Sequence, residues 1–200
     1  IYKERKRGDA MRADELMCNS KFFFPFAPFV TMHAQKLVVL MGSRKDLSFA
    51  SRIDVFLEKE SFPVKCEYNV CSAHKTPKTL IKKLENYEKC GDDIVYITVA
   101  GLSDALSGTV AGYSKYPVIA CPPDSQKYGW TKVFSSMITP QGVPVLFVSE
   151  PENAALAAVK ILALSNHLLY EKIAAYQQKK KEEVIEADKE IKGKKIAREM

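Results

Sequence analysis

Ser72-Ala73-His74-Lys75-Thr76-Pro77 puts a hydroxyl, an imidazole and an ammonium group into one short stretch. Imidazole is the side chain that takes up and releases a proton near neutral pH. A hydroxyl beside an ammonium group suits an anion such as phosphate. The chain has 3 histidines in 200 residues, and only His74 stands among small polar and cationic neighbours. A lone histidine is more often structural than catalytic; position sets His74 apart. It follows an alternating apolar run, Val64 to Val70, and precedes a helical pattern, Pro77 to Cys90. The stretch therefore marks the exit of a strand at the point where the next helix begins.

Other candidates fall at similar junctions. Ser43 follows the apolar run Leu37 to Met41 at a helix start, where backbone N–H groups and the helix dipole favour an anion. Asp46, one turn in, either accepts hydrogen bonds from ribose hydroxyls or complements the dipole as an N-terminal acid. Ser72 and Lys75 form the second half of a phosphate site, or Lys75 is a solvated lysine. Gly101, after the run Ile94 to Ala100, either permits close backbone approach to a ligand or serves only as a turn glycine. There is no G-x-G-x-x-G and no Walker sequence, so neither a dinucleotide nor ATP is indicated. No nucleophilic triad and no carboxylate pair stands out.

The elements that must position these residues are regular from Lys36 onward. Leu37 to Met41 reads as a strand buried on both faces. Arg44 to Glu60 has helical spacing. Val64 to Val70 is the second strand, and Thr76 and Pro77 start the second helix as N-cap and first-turn proline. Gly91 closes that helix. Ile94 to Ala100 is the third strand, Ala105 to Ser114 a close-packing helix, and Val118 to Cys121 the fourth strand. Pro122 to Gly129 reads as a mobile polar loop before a helix around Thr131 to Met137. Val143 to Val148 is the fifth strand. Asn153 to Leu164 is an Ala-rich helix buried on several sides, and His167 to Asp188 a longer polar one. This alternation predicts an α/β three-layer sandwich of the flavodoxin-like type, with a five-stranded parallel sheet of order 2-1-3-4-5 and C-terminal helices. Ligands in such folds sit beyond the carboxyl ends of the strands. Gly42-Ser43, Ser72 to Lys75, Gly101 to Asp104 and Pro122 to Gln126 all fall there.

Composition narrows the function further. An apolar share of 46% supports a sizeable core, and a net charge of +6 is mild. Its basic clusters, Lys3 to Arg7, Lys179 to Lys181 and Lys192 to Lys195, are interleaved with acids and read as solvated tails rather than a nucleic-acid surface. The 5 cysteines form no CxxC and read as reduced thiols of a cytoplasmic protein, and no metal site is expected. No apolar run has the length a membrane helix needs. Residues 1–35 read as an N-terminal extension outside the fold, with Met32 a more natural start. Residues 36–188 read as the catalytic domain and 189–200 as a charged tail.

Four motifs together carry a resemblance: Met41-Gly42-Ser43-x-x-Asp46, Ser72-Ala73-His74-Lys75-Thr76, Ala100-Gly101-Leu102-Ser103-Asp104-Ala105-Leu106-Ser107-Gly108, and Glu150-Pro151-x-Asn153-Ala154-Ala155-Leu156. In order and spacing, from Leu37 to Asp188, they resemble the phosphoribosylaminoimidazole carboxylases of purine biosynthesis. One branch of that family is a mutase that moves a carboxylate from the N-carboxy compound to the ring carbon. The other carboxylates aminoimidazole ribonucleotide (AIR) directly with carbon dioxide. Lys75, where the mutases usually carry Arg, and Ala105, where they carry a second His, resemble the direct branch. Asp104 departs from the pattern, which has Asn. The resemblance implies that Ser43, Ser72 and Lys75 hold the phosphate and Asp46 the ribose. His74 moves the ring proton, and Gly101 and Ser103 border the carboxylate pocket. It implies no cofactor, a small-molecule substrate, and a homo-oligomer, octamer or tetramer, with the two late helices at buried subunit contacts. The short tail implies a stand-alone enzyme. A non-enzymatic flavodoxin-like binding module is the alternative of another class.

Overall fold

The structure is a computed structural model that describes residues 33–123 and 125–193. The expectations for residues 1–32 and for the chain beyond 193 lie outside the described residues. A parallel sheet contains β1 (Gln35–Met41), β2 (Lys65–Val70), β3 (Asp93–Val99), β4 (Val118–Ala120) and β5 (Leu146–Phe147), in the order β2-β1-β3-β4-β5. The helices are α1 (Leu47–Lys59), α2 (Pro77–Lys89), α3 (Ala105–Tyr113), α4 (Ser125–Met137), α5 (Pro151–Leu162) and α6 (His167–Gly193).

The two faces of the sheet explain why its central strands are almost wholly apolar. Along β1, Leu37, Val39 and Met41 enter one core with Ala50, Ile53 and Leu57 of α1 and Ala154, Ala155 and Ala158 of α5. Val38 and Leu40 enter the other with Leu80 and Leu84 of α2 and Leu106 and Val110 of α3. Strand β3 repeats the pattern, since Val95, Ile97 and Val99 face the first core and Ile94 and Tyr96 the second. Side chains alternate along a strand, so a strand covered on both faces must be apolar at every position. Among the described residues strand β2 pairs only with β1, and its residues are half-buried or exposed.

The expected sandwich and strand order are therefore present, but three local features differ. The expected loop over Pro122–Gly129 is largely helical, because α4 begins at Ser125. Gly129 inside it costs about 1 kcal/mol relative to alanine, which the seating of α4 against α3 outweighs. The fifth strand is two residues long rather than six. Pro144 has no N–H to give a ladder, and the partner β4 offers only three residues. The Ala-rich helix is buried as expected, with Ala154, Ala155 and Ala158 fully enclosed in the first core and Leu156, Ala157 and Ile161 partly buried against it. Helix α6 continues past Asp188 to Gly193. No helix among the described residues is long and apolar enough to cross a membrane.

Candidate active site

Three strand-to-helix connections surround a cleft of about 530 Å³ at the carboxyl edge of the sheet, well inside the range of small-molecule sites. Gly42, Ser43, Lys45 and Asp46 come from the β1 connection, Ser72 to Lys75 from the β2 connection, and Ala100 to Ser103 from the β3 connection, with Leu106 at the base. All seven residues expected to carry the site, Ser43, Asp46, Ser72, His74, Lys75, Gly101 and Ser103, line this one cleft. Of the fourth connection, Pro122 and Pro123 are buried and do not line the cleft; the side chains that follow them lie outside the described residues.

The β1 connection is a capping box. Ser43 Oγ accepts the Lys45 N–H at 3.2 Å, and the Ser43 N–H donates to Asp46 Oδ2 at 2.8 Å. A single turn of tight helix, Arg44–Asp46, separates Ser43 from α1. This geometry changes the expected source of anion affinity. The N–H groups of Ser43 and Lys45 are turned inward, so positive charge at this edge comes from side chains more than from a helix terminus. Lys45 is the cation that sequence reasoning passed over. The sequence carries no signal that separates it from a solvated lysine of a first helical turn. Asp46, 9% exposed, has one carboxylate oxygen committed to the cap. Asp46 caps the turn and also lines the cleft.

The β2 connection is a closed turn. The Thr76 N–H donates to the Ser72 carbonyl at 2.9 Å, and the Lys75 N–H donates to Ser72 Oγ at 3.2 Å. Thr76 Oγ1 accepts the Ser72 N–H at 3.0 Å and donates to the Ser72 carbonyl at 3.2 Å. Thr76 was expected to cap α2 with its hydroxyl; instead that hydroxyl reaches back. The backbone of Ser72 leaves the sheet at this point and needs new partners, and the Thr76 hydroxyl supplies them. The result is a rigid loop with His74 and Lys75 exposed at its tip.

The β3 connection rests on a buried polar knot. Asp104, 6% exposed, caps α3 by accepting the Ser107 N–H at 3.0 Å. Its Oδ2 also accepts from Ser107 Oγ at 2.5 Å and from Ser136 Oγ of α4 at 2.7 Å, and its own N–H donates to Ser135 Oγ at 2.6 Å. Ser107 Oγ lies 2.7 Å from Thr98 Oγ1 on β3. Asp104 thus anchors the loop that presents Gly101 and Ser103. The positive φ of that loop falls on Leu102, at 56°, rather than on glycine. Leu102 is 67% exposed, so its strained backbone holds an apolar side chain out at the mouth of the cleft.

Comparison with known proteins agrees with this geometry. The model of the AIR carboxylase family matches residues 36–183. A phosphoribosylaminoimidazole carboxylase of Archaeoglobus fulgidus is 42% identical over 78% of this chain and 84% of its own length. One from Treponema denticola is 35% identical over 78% of this chain and 97% of its own. The crystal structure of Treponema denticola PurE superposes with a TM-score of 0.75 at 34% identity, covering 79% of this chain and 99% of that one. The chain belongs to the AIR carboxylase family.

Proposed function

We propose that this protein carboxylates AIR directly with carbon dioxide to give 4-carboxy-5-aminoimidazole ribonucleotide (CAIR), without ATP, biotin or metal. The observation that carries the reading is the hydrogen-bonded Ser72–Thr76 turn, which brings His74 and Lys75 to the cleft shared by Ser43 and Ser103. Lys75 with Lys45 balances the substrate phosphate, and the Ser43 and Ser72 hydroxyls donate to it. Asp46 accepts from the ribose. The base then lies toward Gly101 and Ser103.

AIR is an electron-rich enamine. Its ring carbon attacks carbon dioxide, a carbon–carbon bond forms, and a C=O electron pair moves onto oxygen. The ring carbon then holds both a proton and the new carboxylate. Neutral His74 takes that proton and aromaticity returns. The protein therefore orients the reactants, excludes water and moves one proton. Lys75 and Ala105 favour this direct reaction over the mutase on the same fold. We also infer a homo-oligomer, octameric or tetrameric, in the cytoplasm. The exposed Leu164, Leu168 and Tyr170 around the start of α6 support the first statement, and the free thiols of Cys66, Cys71, Cys90 and Cys121 support the second.

The test is His74→Asn, assayed with AIR and carbon dioxide in the absence of ATP. Turnover is expected to fall at least ~100-fold with an unchanged melting temperature. Near-normal turnover in the folded variant would contradict the role given to His74.

A further inference from the structure

Leu102 is unfavourable twice over in the free protein. Its φ of 56° lies in the left-handed region, where the Cβ of an L residue crowds the following carbonyl oxygen. Its side chain is also 67% exposed, so its apolar surface meets water instead of a core. Among the described residues the other non-glycine with a positive φ is Ser61, at 55°. Ser61 has a local reason. It follows the end of α1, where its N–H donates to the Glu58 carbonyl at 3.0 Å and the Phe62 N–H to the Leu57 carbonyl at 2.9 Å. Leu102 closes no helix; it stands between β3 and α3.

The surroundings hold it there. Asp104, two residues on, is fixed by Ser107, Ser135 and Ser136. Just before the loop, the Val99 carbonyl accepts the Gly42 N–H at 2.9 Å. The loop is tied at both ends, and strain persists where the neighbours over-determine the backbone, as they do at ligand clamps. Leu102 lines the cleft together with Ala73, Ala100 and Leu106, which add apolar surface to a space otherwise lined by charged and hydroxyl groups. The compensation that the free protein lacks is therefore available from the flat face of a ligand ring in the cleft.

Resting on the function proposed above, we propose that Leu102 is a substrate-binding residue whose side chain covers the aminoimidazole ring of AIR. The ring end lies toward Gly101 and Ser103, which flank Leu102 in the chain. Phosphate and ribose are held by other residues, so Leu102 acts on the ring alone. Covering the ring also sheds water from the carbon that meets carbon dioxide.

The experiment is isothermal titration of the full chain with AIR and with ribose 5-phosphate, which keeps the phosphate and sugar but has no ring. Wild type, Leu102→Asn and Leu102→Met are compared, each with a thermal melt and a light-scattering mass without ligand. Asparagine accepts the left-handed backbone but offers no apolar surface. Leu102→Asn is expected to lose about fivefold or more in AIR affinity, with ribose 5-phosphate within about twofold and a melting temperature equal to or above that of wild type. Leu102→Met is expected to restore most of the AIR affinity. Equal loss for both ligands, no loss for AIR, or a lowered melting temperature in Leu102→Asn would overturn the role. A changed mass in that variant would also overturn it and assign Leu102 to a contact between copies. If Leu102→Asn does not fold, Leu102→Gly, which accepts the same backbone, is read in the same way. A wild type that does not bind AIR overturns the parent function and this role with it; a wild type that binds AIR isolates any failure to Leu102.

Discussion

In the proposed reaction, two lysines and one histidine divide the work at the cleft. Lys75 sits on the rigid Ser72–Thr76 turn, and Lys45 sits across the cleft on the capping box. Each is a point charge on a flexible stem, suited to a phosphate but adding little orientation. Lys75→Ala should therefore raise the KM for AIR by ~10-fold, the loss of one charge-assisted contact, with kcat changed by less than ~3-fold. Steady-state kinetics reads both numbers, and a fall confined to kcat would reassign Lys75 to the chemical step. Residue types at strand ends made Ser43, Ser72, His74 and Lys75 legible in the sequence. Lys45 was not, because nothing in a lone lysine of a first helical turn distinguishes it from a solvated one. The inward turn of the Ser43 and Lys45 N–H groups was also hidden, since it depends on how the Asp46 side chain folds back.

At the scale of elements, the loops that carry the site are held by side chains on the next helix. Asp104 is the clearest case, accepting from Ser107 and Ser136 while its N–H meets Ser135. Removing its carboxylate leaves several buried donors without acceptors. Asp104→Ala should cost ~2–4 kcal/mol in urea unfolding and lower kcat/KM through misplacement of Gly101 and Ser103. A stability change below ~0.5 kcal/mol would show that the knot is dispensable. The three central strands and the helices around them could be read from periodicity because both faces are covered and nearly every buried position is apolar. Helix α4 could not be bounded in this way. Its first turns carry polar residues and a glycine, and its last turn is held by the Asp104 knot, a contact distant in sequence. Strand β5 was overestimated because its apolar run is longer than the ladder its neighbour offers.

At the scale of the whole molecule, the two cores leave one polar lattice at the sheet's other edge. Lys36 Nζ lies 2.7 Å from Asp92 and 3.3 Å from Glu67, and the Tyr87 hydroxyl donates to Glu67 at 3.1 Å. The hydrogen bond to Lys36 holds the Asp92 carboxyl below its usual range. Burial alone would push Glu67 up, but the Tyr87 hydroxyl and Lys36 together bring it down. Lys36 is raised chiefly by its bond to Asp92, against the opposing effect of burial. Depressed carboxylates stabilise the fold fully above their unfolded values, near pH 4, and lose that contribution as pH falls through their folded ones. The raised lysine contributes fully below about pH 10 and loses its share only as pH rises through its folded value. Unfolding free energy should thus be flat between about pH 5 and pH 10 as far as these groups decide it, and fall on acidification. Lys36→Met should lower the plateau by ~1–3 kcal/mol and flatten the acid limb. An unchanged acid limb would remove this lattice from the pH dependence. The most direct test of the whole reading is a paired assay without ATP. The purified protein receives either AIR with carbon dioxide, or the N-carboxy compound under carbon dioxide depletion. The cleft, with Lys75 and Ala105 in place, predicts CAIR from AIR and carbon dioxide alone; efficient conversion of the N-carboxy compound would contradict it and assign the mutase reaction to the same site.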